Sequence, residues 1–361
     1  MTTLHKPGWY ARHIAPHLPK KAFKPVPQRL WGGAAYLVIT LAIAFLMGWF
    51  DLHITLNLLG AALLGACFAG LGFLGHEILH GAIVKKRWLR NFLGAVAFWP
   101  LSTGPKLWRM WHNRGHHVHT QHDDEDPDSW LSYDQVHKRR LTRLLYRIPF
   151  PIRAVIAFAS LAITFSFHST KMFIKYIKSF KREEQKSVWM QFILPWAAWI
   201  GLLFALGFEK WLYIYLIPLL IANFIVMAYI STNHRLNPLG DVNDPLVNSL
   251  SVNVPKWVDV IHFNFSHHTE HHLFPGMSAK YYPIIKQHLK EKWPDRYNEM
   301  PLGEALLALY QTPRVYFKQT ELIDPNRQHV YGSLRNGLDP KNIKYRNIKN
   351  DDDSSNDTMK K

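Results

Sequence analysis

Four long apolar runs dominate the pattern of hydrophobic and polar positions along this chain. They cover residues 30–50, 56–75, 188–208 and 211–230, and none of them contains a charged residue. A helix needs about 20 apolar residues to cross the hydrocarbon core of a bilayer, and each run has that length. Because buried helices of a soluble protein rarely produce four such runs, the pattern predicts four transmembrane helices.

Short connectors join the four runs in two pairs. Residues 51–55 connect the first pair and Glu209–Lys210 connects the second, so each pair predicts a transmembrane hairpin. Lysine and arginine are concentrated in the flanking segments, whereas the two connectors contain only Lys210. The positive-inside rule therefore predicts that both termini and the segments between the hairpins lie on the cytoplasmic side.

Two shorter apolar stretches, residues 88–103 and 154–167, are expected to lie in the membrane interface. If the second one crossed the bilayer, the segment after the last span would be on the opposite side from the segment after the second span. The predicted fold class is an all-α integral membrane protein, with two transmembrane helical hairpins, interfacial helices and a cytoplasmic, histidine-rich, metal-binding cap. The expected segments are a basic interfacial region at 1–29, a membrane domain at 30–320 with its cap at 76–187 and 231–320, and a tail at 321–361. The end of this tail, from about residue 340 to residue 361, lacks apolar periodicity and is expected to be disordered.

The chain is strongly basic, with 43 Lys and Arg against 26 Asp and Glu. Such an excess is typical of proteins that bind nucleic acid or anionic membranes. The apolar runs favour the membrane, so we expect a lipid bilayer as partner and no nucleic acid. The first 28 residues lack the apolar stretch of a signal peptide, and the single cysteine, Cys67, is expected to be a packing residue.

Eight histidines form three tight clusters beside the apolar runs. Neutral imidazole nitrogens suit iron, copper, zinc or nickel rather than magnesium or calcium, and the near absence of cysteine disfavours a thiolate site. The clustered histidines are His76 and His80; His112, His116 and His117; and His268, His271 and His272.

The spacing within each cluster indicates how the imidazoles would be shared. On a helix His76 and His80 lie one turn apart on the same face, and so do His112 and His116. His117 would point about 100° away from His116, so these neighbours can serve different ions. The third cluster divides in the same way, and the pattern therefore predicts a site for two metal ions.

Acidic residues accompany the clusters and are expected to support the histidines. A carboxylate often accepts the second ring N–H of a metal-bound histidine and so fixes its tautomer. For residues 123–128 the alternative is a solvated acidic loop. The candidates for this supporting role are Glu77, Asp126, Asp128 and Glu270, and the histidines outside the pattern, expected to have supporting or surface roles, are His119, His122, His262 and His267.

The clusters HEILH, WHNRGHH and HTEHHLFPG, in this order around two hairpins, resemble the three histidine boxes of membrane fatty acid desaturases. The resemblance covers about residues 30–290, and its extensions are similar to those of acyl-lipid and front-end members, although His268 stands where front-end members usually have glutamine. It implies two non-haem iron ions and an O2-dependent reaction that introduces a double bond into a fatty acyl chain, expected to be lipid-linked. It also implies one more ligand after the last span, for which His234 matches best, with Asn233 beside it as a weaker or supporting candidate.

Three alternatives remain open from the sequence. Hydroxylases of the same superfamily share the boxes, and they would act on the same acyl or lipid substrates. HEILH also fits the HExxH pattern of an intramembrane zinc metalloprotease, which would leave six clustered histidines without a role. A metal transporter would need ionisable residues within the spans, which contain none.

The electrons for a desaturation have to come from a second protein. No flavin or haem motif and no fused redox domain are expected in this chain. We therefore expect an external donor of the ferredoxin, rubredoxin or cytochrome b5 type, attracted to the basic cytoplasmic surface.

Overall fold

The computed structural model describes residues 3–348, which form a mostly helical protein. The helices are α1 (Pro7–Ile14), α2 (Leu30–Trp49), α3 (Ile54–His80), α4 (Arg87–Phe98), α5 (Pro105–Arg109), α6 (His117–His119), α7 (Tyr133–Lys138), α8 (Arg140–Tyr146), α9 (Phe150–Ala159), α10 (Leu161–Tyr176), α11 (Arg182–Leu206), α12 (Phe208–Trp211), α13 (Ile217–Arg235), α14 (Pro245–Asn248), α15 (Lys256–Ile261), α16 (His268–Leu273), α17 (Tyr282–Lys292) and α18 (Leu302–Gln311). The strands are β1 (Ser251–Asn253), β2 (Glu299–Pro301), β3 (Tyr316–Lys318), β4 (Glu321–Asp324), β5 (His329–Gly332) and β6 (Arg346–Asn347). Two π-helical segments, Met110–His116 and Leu212–Leu216, continue α5 and α12.

Four of the described helices are long and apolar enough to cross a membrane. They cover Pro27–Trp49, Ile54–His80, Arg182–Leu206 and Phe208–Arg235, in agreement with the four predicted runs. The second and fourth helices continue beyond their apolar runs and therefore carry His76, His80 and His234 out of the apolar region. Helix α3 ends at Gly81, whose φ of 84° is a left-handed conformation that glycine adopts without strain.

The second and fourth of these helices form the centre of the bundle. Gly65 of α3 allows α13 to approach closely, because a Cβ atom there would lie 2.7 Å from the Ile221 side chain. The connectors of the two helix pairs also meet, since Lys210 Nζ lies 2.9 Å from Asp51 Oδ1. The two connectors thus lie at one end of the bundle, and the histidine-bearing ends of α3 and α13 lie at the other.

Helices α9 and α10 form a pair that is bent by 71°. Arg153 near the start of α9 donates to the Tyr146 carbonyl, 2.8 Å away, and lies 3.6 Å from Asp324. His168 of α10 lies 2.8 Å from the Asp128 carboxylate, close to the second histidine cluster. Both helices therefore contact the histidine-bearing half of the molecule. The interfacial location of residues 88–103 and 154–167 stays a prediction.

Six short strands depart from the predicted all-α fold class. Strands β1 and β2 pair in parallel, with Val252 opposite Met300. Strands β3 to β6 form an antiparallel sheet in sequential order, with Leu322 opposite Tyr331. At two to four residues each, these strands are too short to produce a recognisable alternation in the sequence.

The sheet β3–β6 extends across residue 320, where the sequence analysis places the start of the tail. The division into segments stays a prediction. The sequence predicts disorder from about residue 340 to residue 361. Within that range Arg346–Asn347 forms β6, which pairs with β5, so the expectation is wrong there, and residues 349–361 lie outside the described part of the chain.

The N-terminal segment is anchored beside the third histidine cluster. The fully buried Asp244 carboxylate accepts hydrogen bonds from the His5 backbone at 2.8 Å, from Tyr10 at 3.1 Å and from Arg296 at 2.6 Å. A buried carboxylate is stable only with such partners. These contacts hold α1 against the chain around α16.

Candidate metal centre

Nine histidines from four parts of the chain converge in two adjacent groups. Within each group, one nitrogen of every ring lies within 4.8 Å of one nitrogen of every other ring. The first group contains His76, His80, His112, His117 and His271, and the second contains His116, His234, His268 and His272. All nine are candidate ligands from the sequence, and the structure brings all nine together.

The distances within each group match those between ligands of a common ion. In the first group His112 Nε2 lies 3.0 Å from His76 Nε2 and 3.2 Å from His117 Nε2. In the second group His268 Nε2 lies 2.6 Å from His234 Nε2 and 3.0 Å from His272 Nε2. Nitrogens bound at about 2.1 Å and at right angles around one ion would be about 3 Å apart. Each of the two groups could therefore hold a metal ion.

The second cluster contributes to both groups. His112 lies with His117 in the first group and His116 lies in the second, although His112 and His116 also share a third set of nearby ligand atoms with Asp128, so the expected pairing of His112 with His116 stays a prediction. His112 and His117 come together in the π-helical segment Met110–His116, whose wider turn brings residues five apart onto one side. The third cluster lies on an ordinary helix, where His268 and His272 stay together and His271 faces the first group.

Hydrogen bonds on the outer side of the rings set the direction of the inner nitrogens. His234 Nδ1 lies 2.9 Å from the Asn248 carbonyl oxygen, which can only accept. His271 Nδ1 lies 3.1 Å from the Tyr282 hydroxyl, which itself donates to the Met277 carbonyl. In both rings Nδ1 therefore carries the hydrogen, and the lone pair of Nε2 points into the group. The roles of Asn248 and Tyr282 could not be predicted from the sequence, because neither residue belongs to a local motif with the histidine that it contacts.

Burial and mutual repulsion keep most of these rings neutral. Burial, and then the neighbouring imidazoles, lower the pKa values of His112, His117 and His271 well below the usual range. Burial also acts to lower the pKa of His116, but the charge and hydrogen bond of Asp126 outweigh it and raise the pKa to about 9. Neutral rings offer the lone pairs that a metal ion requires.

Two of the four expected carboxylates support the histidines. Asp126 Oδ1 lies 2.9 Å from His116 Nδ1, and its other oxygen accepts the Gln121 backbone N–H at 2.8 Å. Asp128 Oδ2 lies 3.6 Å from the same His116 nitrogen. The loop at 123–128 is therefore more than a solvated acidic turn, since these two side chains point inward to the second group.

The other two carboxylates, Glu77 and Glu270, do not contact the nine histidines as expected. Glu77 accepts hydrogen bonds from Arg29 and Ser278, each at 2.6 Å. Glu270 accepts from Ser251 at 2.7 Å and from Tyr297 at 2.5 Å. Both carboxylates are buried, and their hydrogen bonds connect the histidine-bearing helices to distant parts of the chain. Because Glu77 is fully engaged, it is not available as the general base that the metalloprotease alternative requires.

A histidine outside the three clusters also reaches the centre. His168 Nε2 lies 2.8 Å from Asp128 Oδ1, so this carboxylate bridges from α10 to His116. The sequence analysis missed His168, because it stands alone in an apolar stretch 40 residues beyond Asp128. The four histidines beside the boxes have supporting or surface positions, among them His119, which pairs with Glu125, and His262, which contacts Tyr229.

Buried polar atoms without partners indicate that the site is built for a bound group. His80 Nε2 is buried and, among residues 3–348, has no hydrogen-bond partner. The same holds for both polar atoms of the fully buried Asn233 side chain. Such atoms are costly to bury unless something else satisfies them. A set of neutral nitrogen donors with an orphaned member fits iron or a similar transition metal.

A largely apolar cavity of about 340 Å³ opens onto both histidine groups. His76 and His112 of the first group and His116, His234 and His268 of the second line its wall. Most of the remaining wall is apolar, and it includes Phe98, Leu101, Phe165 and Met227. A cavity of this kind accommodates a hydrocarbon chain beside the metal centre.

Comparison with known proteins agrees with this geometry. The fatty acid desaturase family matches residues 53–302 of the chain. The sn-1 oleoyl-lipid 12-desaturase of Synechocystis sp. is 25% identical over 336 residues, which cover 88% of this chain and 90% of that protein. The chloroplastic omega-6 fatty acid desaturase of Spinacia oleracea is 23% identical over 320 residues, 83% of this chain and 68% of that protein. The sn-1 oleoyl-lipid 12-desaturase of Anabaena variabilis is 22% identical over 326 residues, 85% of this chain and 89% of that protein.

The family match includes three of the four long apolar helices, the three histidine clusters and the residues that line the cavity. Membership of this family excludes the metalloprotease and transporter alternatives. The chain belongs to the fatty acid desaturase family and is a membrane oxidoreductase of lipid metabolism.

Proposed function

We propose that this chain is an O2-dependent di-iron desaturase that introduces a double bond into a lipid-linked fatty acyl chain. The observation that carries the proposal is the opening of an apolar cavity onto two groups of converging histidines. Five imidazoles would hold one iron ion and four would hold the other, with the members given above. Two iron ions bound there would supply the redox chemistry that uses O2 to remove two hydrogens from a methylene pair.

The task of the protein is to position the acyl chain and to exclude water. The aromatic walls at Phe98 and Phe165 leave an extended hydrocarbon chain few orientations, which favours reaction at one pair of carbons. Asn248 and Asp126 hold two rings that face the cavity, His234 and His116, in fixed directions, and Tyr282 does the same for His271 of the first group. A rigid, dry site also limits transfer of a hydroxyl group to the substrate, which is the reaction of the hydroxylase alternative.

The names of the relatives suggest which substrate to test first. Several of them are oleoyl-lipid 12-desaturases or omega-6 desaturases. We therefore propose an acyl chain in a membrane lipid as the substrate, with an oleoyl group as the first candidate. Two electrons for each turnover would come from an external donor of the ferredoxin, rubredoxin or cytochrome b5 type.

The proposed membrane topology is two hairpins with the histidine centre and both termini on the cytoplasmic side. Contact between Lys210 and Asp51 supports it, because the two connectors then share one membrane face. The excess of basic residues in the flanking segments supports the cytoplasmic orientation of the opposite face.

The test is expression in a host that makes oleoyl lipids but no polyunsaturated ones. Gas chromatography of the total fatty acids should reveal a diunsaturated product when electron donors are present. An unchanged profile with iron-loaded protein and active donors would refute the proposal. A hydroxylated fatty acid would instead establish the hydroxylase alternative.

A further inference from the structure

The mouth of the cavity carries an excess of positive charge. Three cationic side chains, Arg139, Lys171 and Arg235, line the cavity together with a single carboxylate, Asp128. That carboxylate is already engaged, since it lies 2.8 Å from His168 and 3.6 Å from His116. It is therefore not free to neutralise the three cations.

The wall formed by α10 changes from apolar to positive along its length. Thr164, Phe165, His168 and Lys171 all face the cavity. At a rise of 1.5 Å per residue, Thr164 and Lys171 are about 10 Å apart along the helix axis. Lys171 and Arg139 are solvent-exposed, so they mark the place where the cavity opens. The apolar part lies deeper, beside α13.

None of the three cations has an ion-pair partner in the described part of the chain, residues 3–348. Arg235 is held instead against the Trp130 ring, with its guanidinium carbon 4.1 Å from the ring centre. Lys171 is repelled by Arg139 and by Lys175 on the next turn of α10. Three cations that share one carboxylate around an apolar cavity leave an excess of positive charge, which is complementary to an amphiphile with an anionic head.

We propose that Arg139 and Lys171 bind the phosphate of a glycerophospholipid headgroup while its acyl chain occupies the cavity, with Arg235 adding to the positive field. This inference rests on the proposed function and narrows its substrate class to anionic membrane lipids. A guanidinium and an ammonium that converge on one phosphate make charge-assisted hydrogen bonds, which a neutral sugar headgroup cannot offer. The phosphate of a coenzyme A or carrier-protein thioester has the same chemistry and must be distinguished by experiment.

The experiment measures lipid binding to the full-length, detergent-purified protein by native mass spectrometry. Dioleoyl phosphatidylglycerol is compared with a dioleoyl galactolipid of the same chain composition. The variants are Arg139→Gln and Lys171→Gln, which remove the charge and keep a polar side chain. Lys175→Gln is the matched control, because Lys175 is on the same helix but outside the cavity. Arg235 is left unchanged because it adjoins His234.

We expect each cavity variant to weaken phosphatidylglycerol binding about tenfold, the effect of one lost charged hydrogen bond, and to leave galactolipid binding unchanged. The control should bind both lipids like the original protein. Equal losses for both lipids, or equal losses in the control, would overturn the inference. Because binding is measured without turnover, the result does not depend on whether desaturation has been observed.

Two competition experiments identify the kind of molecule that supplies the phosphate. Inorganic phosphate should not displace the phospholipid at millimolar concentration, since it lacks the acyl chain. Oleoyl-coenzyme A is offered in competition. If it binds more tightly than phosphatidylglycerol, and if Lys171→Gln abolishes that preference, the anion belongs to a thioester and the phospholipid assignment is wrong. Phosphatidylglycerol that is bound and desaturated equally well by all variants would leave the proposed function intact and refute this inference alone.

Discussion

The two helices of each membrane pair are equally suited to a bilayer but bury very different fractions of their residues. In the most apolar part of Ile54–His80, 72% of the residues are buried within the protein, against 11% for its partner Pro27–Trp49. The second pair shows the same division, with 61% for Phe208–Arg235 and 11% for Arg182–Leu206. We call the well-buried members the inner helices and the others the outer helices.

Hydropathy therefore predicts whether a helix can cross a membrane, but it does not predict whether that helix packs inside the protein or lies on its surface. Inner helix α3 carries small residues where its neighbours approach, such as Gly65 opposite Ile221 and Gly70 opposite Tyr36. Both inner helices continue beyond the apolar region and end in histidines of the centre. The outer helices lack such histidines and leave most of their apolar residues at least partly exposed on the surface of the bundle. Close packing and function should therefore be concentrated in the inner pair.

The largest effect is expected from removing a histidine that shares a group with the histidines of inner helix α3. Replacing His271 of α16 with alanine removes one nitrogen from the first group, while the Tyr282 hydroxyl keeps only its carbonyl partners. Changes in outer partners of metal ligands already cost about 10–100-fold in affinity or activity, so the loss of an inner nitrogen should abolish turnover and lower bound iron. Iron analysis and product chromatography measure both. His119→Ala is the control, and if it and His271→Ala lost equal activity, the ligand assignment would fail.

A smaller effect on stability should separate the inner from the outer helices. In Gly65→Ala the new Cβ would lie 2.7 Å from Ile221 and 3.1 Å from the Pro218 carbonyl oxygen. Overpacking of this kind typically costs about 1–3 kcal/mol. The matched variant is Gly201→Ala on outer helix α11, where a Cβ meets no atom within 4 Å, and better helix propensity should stabilise it by up to about 1 kcal/mol. Thermal unfolding in detergent compares the two, and equal shifts would contradict the distinction.

The sequence was sufficient for the features that depend on local patterns. The four helices follow from uninterrupted apolar runs, and the nine histidines follow from short spacings and the family resemblance. The pairing of His112 with His117 could not be predicted, because a π-helical turn is not encoded in the spacing of a motif. Nor could His168 or Tyr282, whose contacts with Asp128 and His271 depend on how separate helices pack. The strands of β3–β6 are stabilised by pairing between segments, which no single short segment reveals.

A further moderate effect, on metal affinity, is expected at His168 of α10. This residue lines the cavity and contacts Asp128, which lies beside the second histidine group. Replacing it with leucine removes the contact that holds the Asp128 carboxylate 3.6 Å from His116, so this support of His116 is weakened while Asp126 stays in place. Loss of such an outer support should lower metal affinity by about tenfold. Metal titration of the cobalt-substituted protein, with its ligand-field spectrum, measures this directly. His168→Gln retains a donor and should restore most of the affinity. If only the KM for lipid changed and the spectrum stayed the same, His168 would contribute to the cavity wall but not to metal binding.

The smallest effect is expected for the docking of the electron donor. Lys85 and Lys86 are exposed and follow the inner helix α3 within six residues of His80, whereas Lys178 and Lys181 are exposed and precede the outer helix α11. An acidic donor that delivers electrons to the centre should dock near the first pair, because electrostatic steering acts over a Debye length of about 10 Å at 0.1 M salt.

Reversing Lys85 and Lys86 to glutamate should slow donor-dependent turnover several-fold at low salt and less at high salt. Reversing Lys178 and Lys181 changes the flanking charge by the same amount and should leave the rate nearly unchanged. Arg139 is avoided in this test because it lines the cavity. If both double reversals slow turnover equally, or if the rate ignores ionic strength, the donor does not select the inner-helix side.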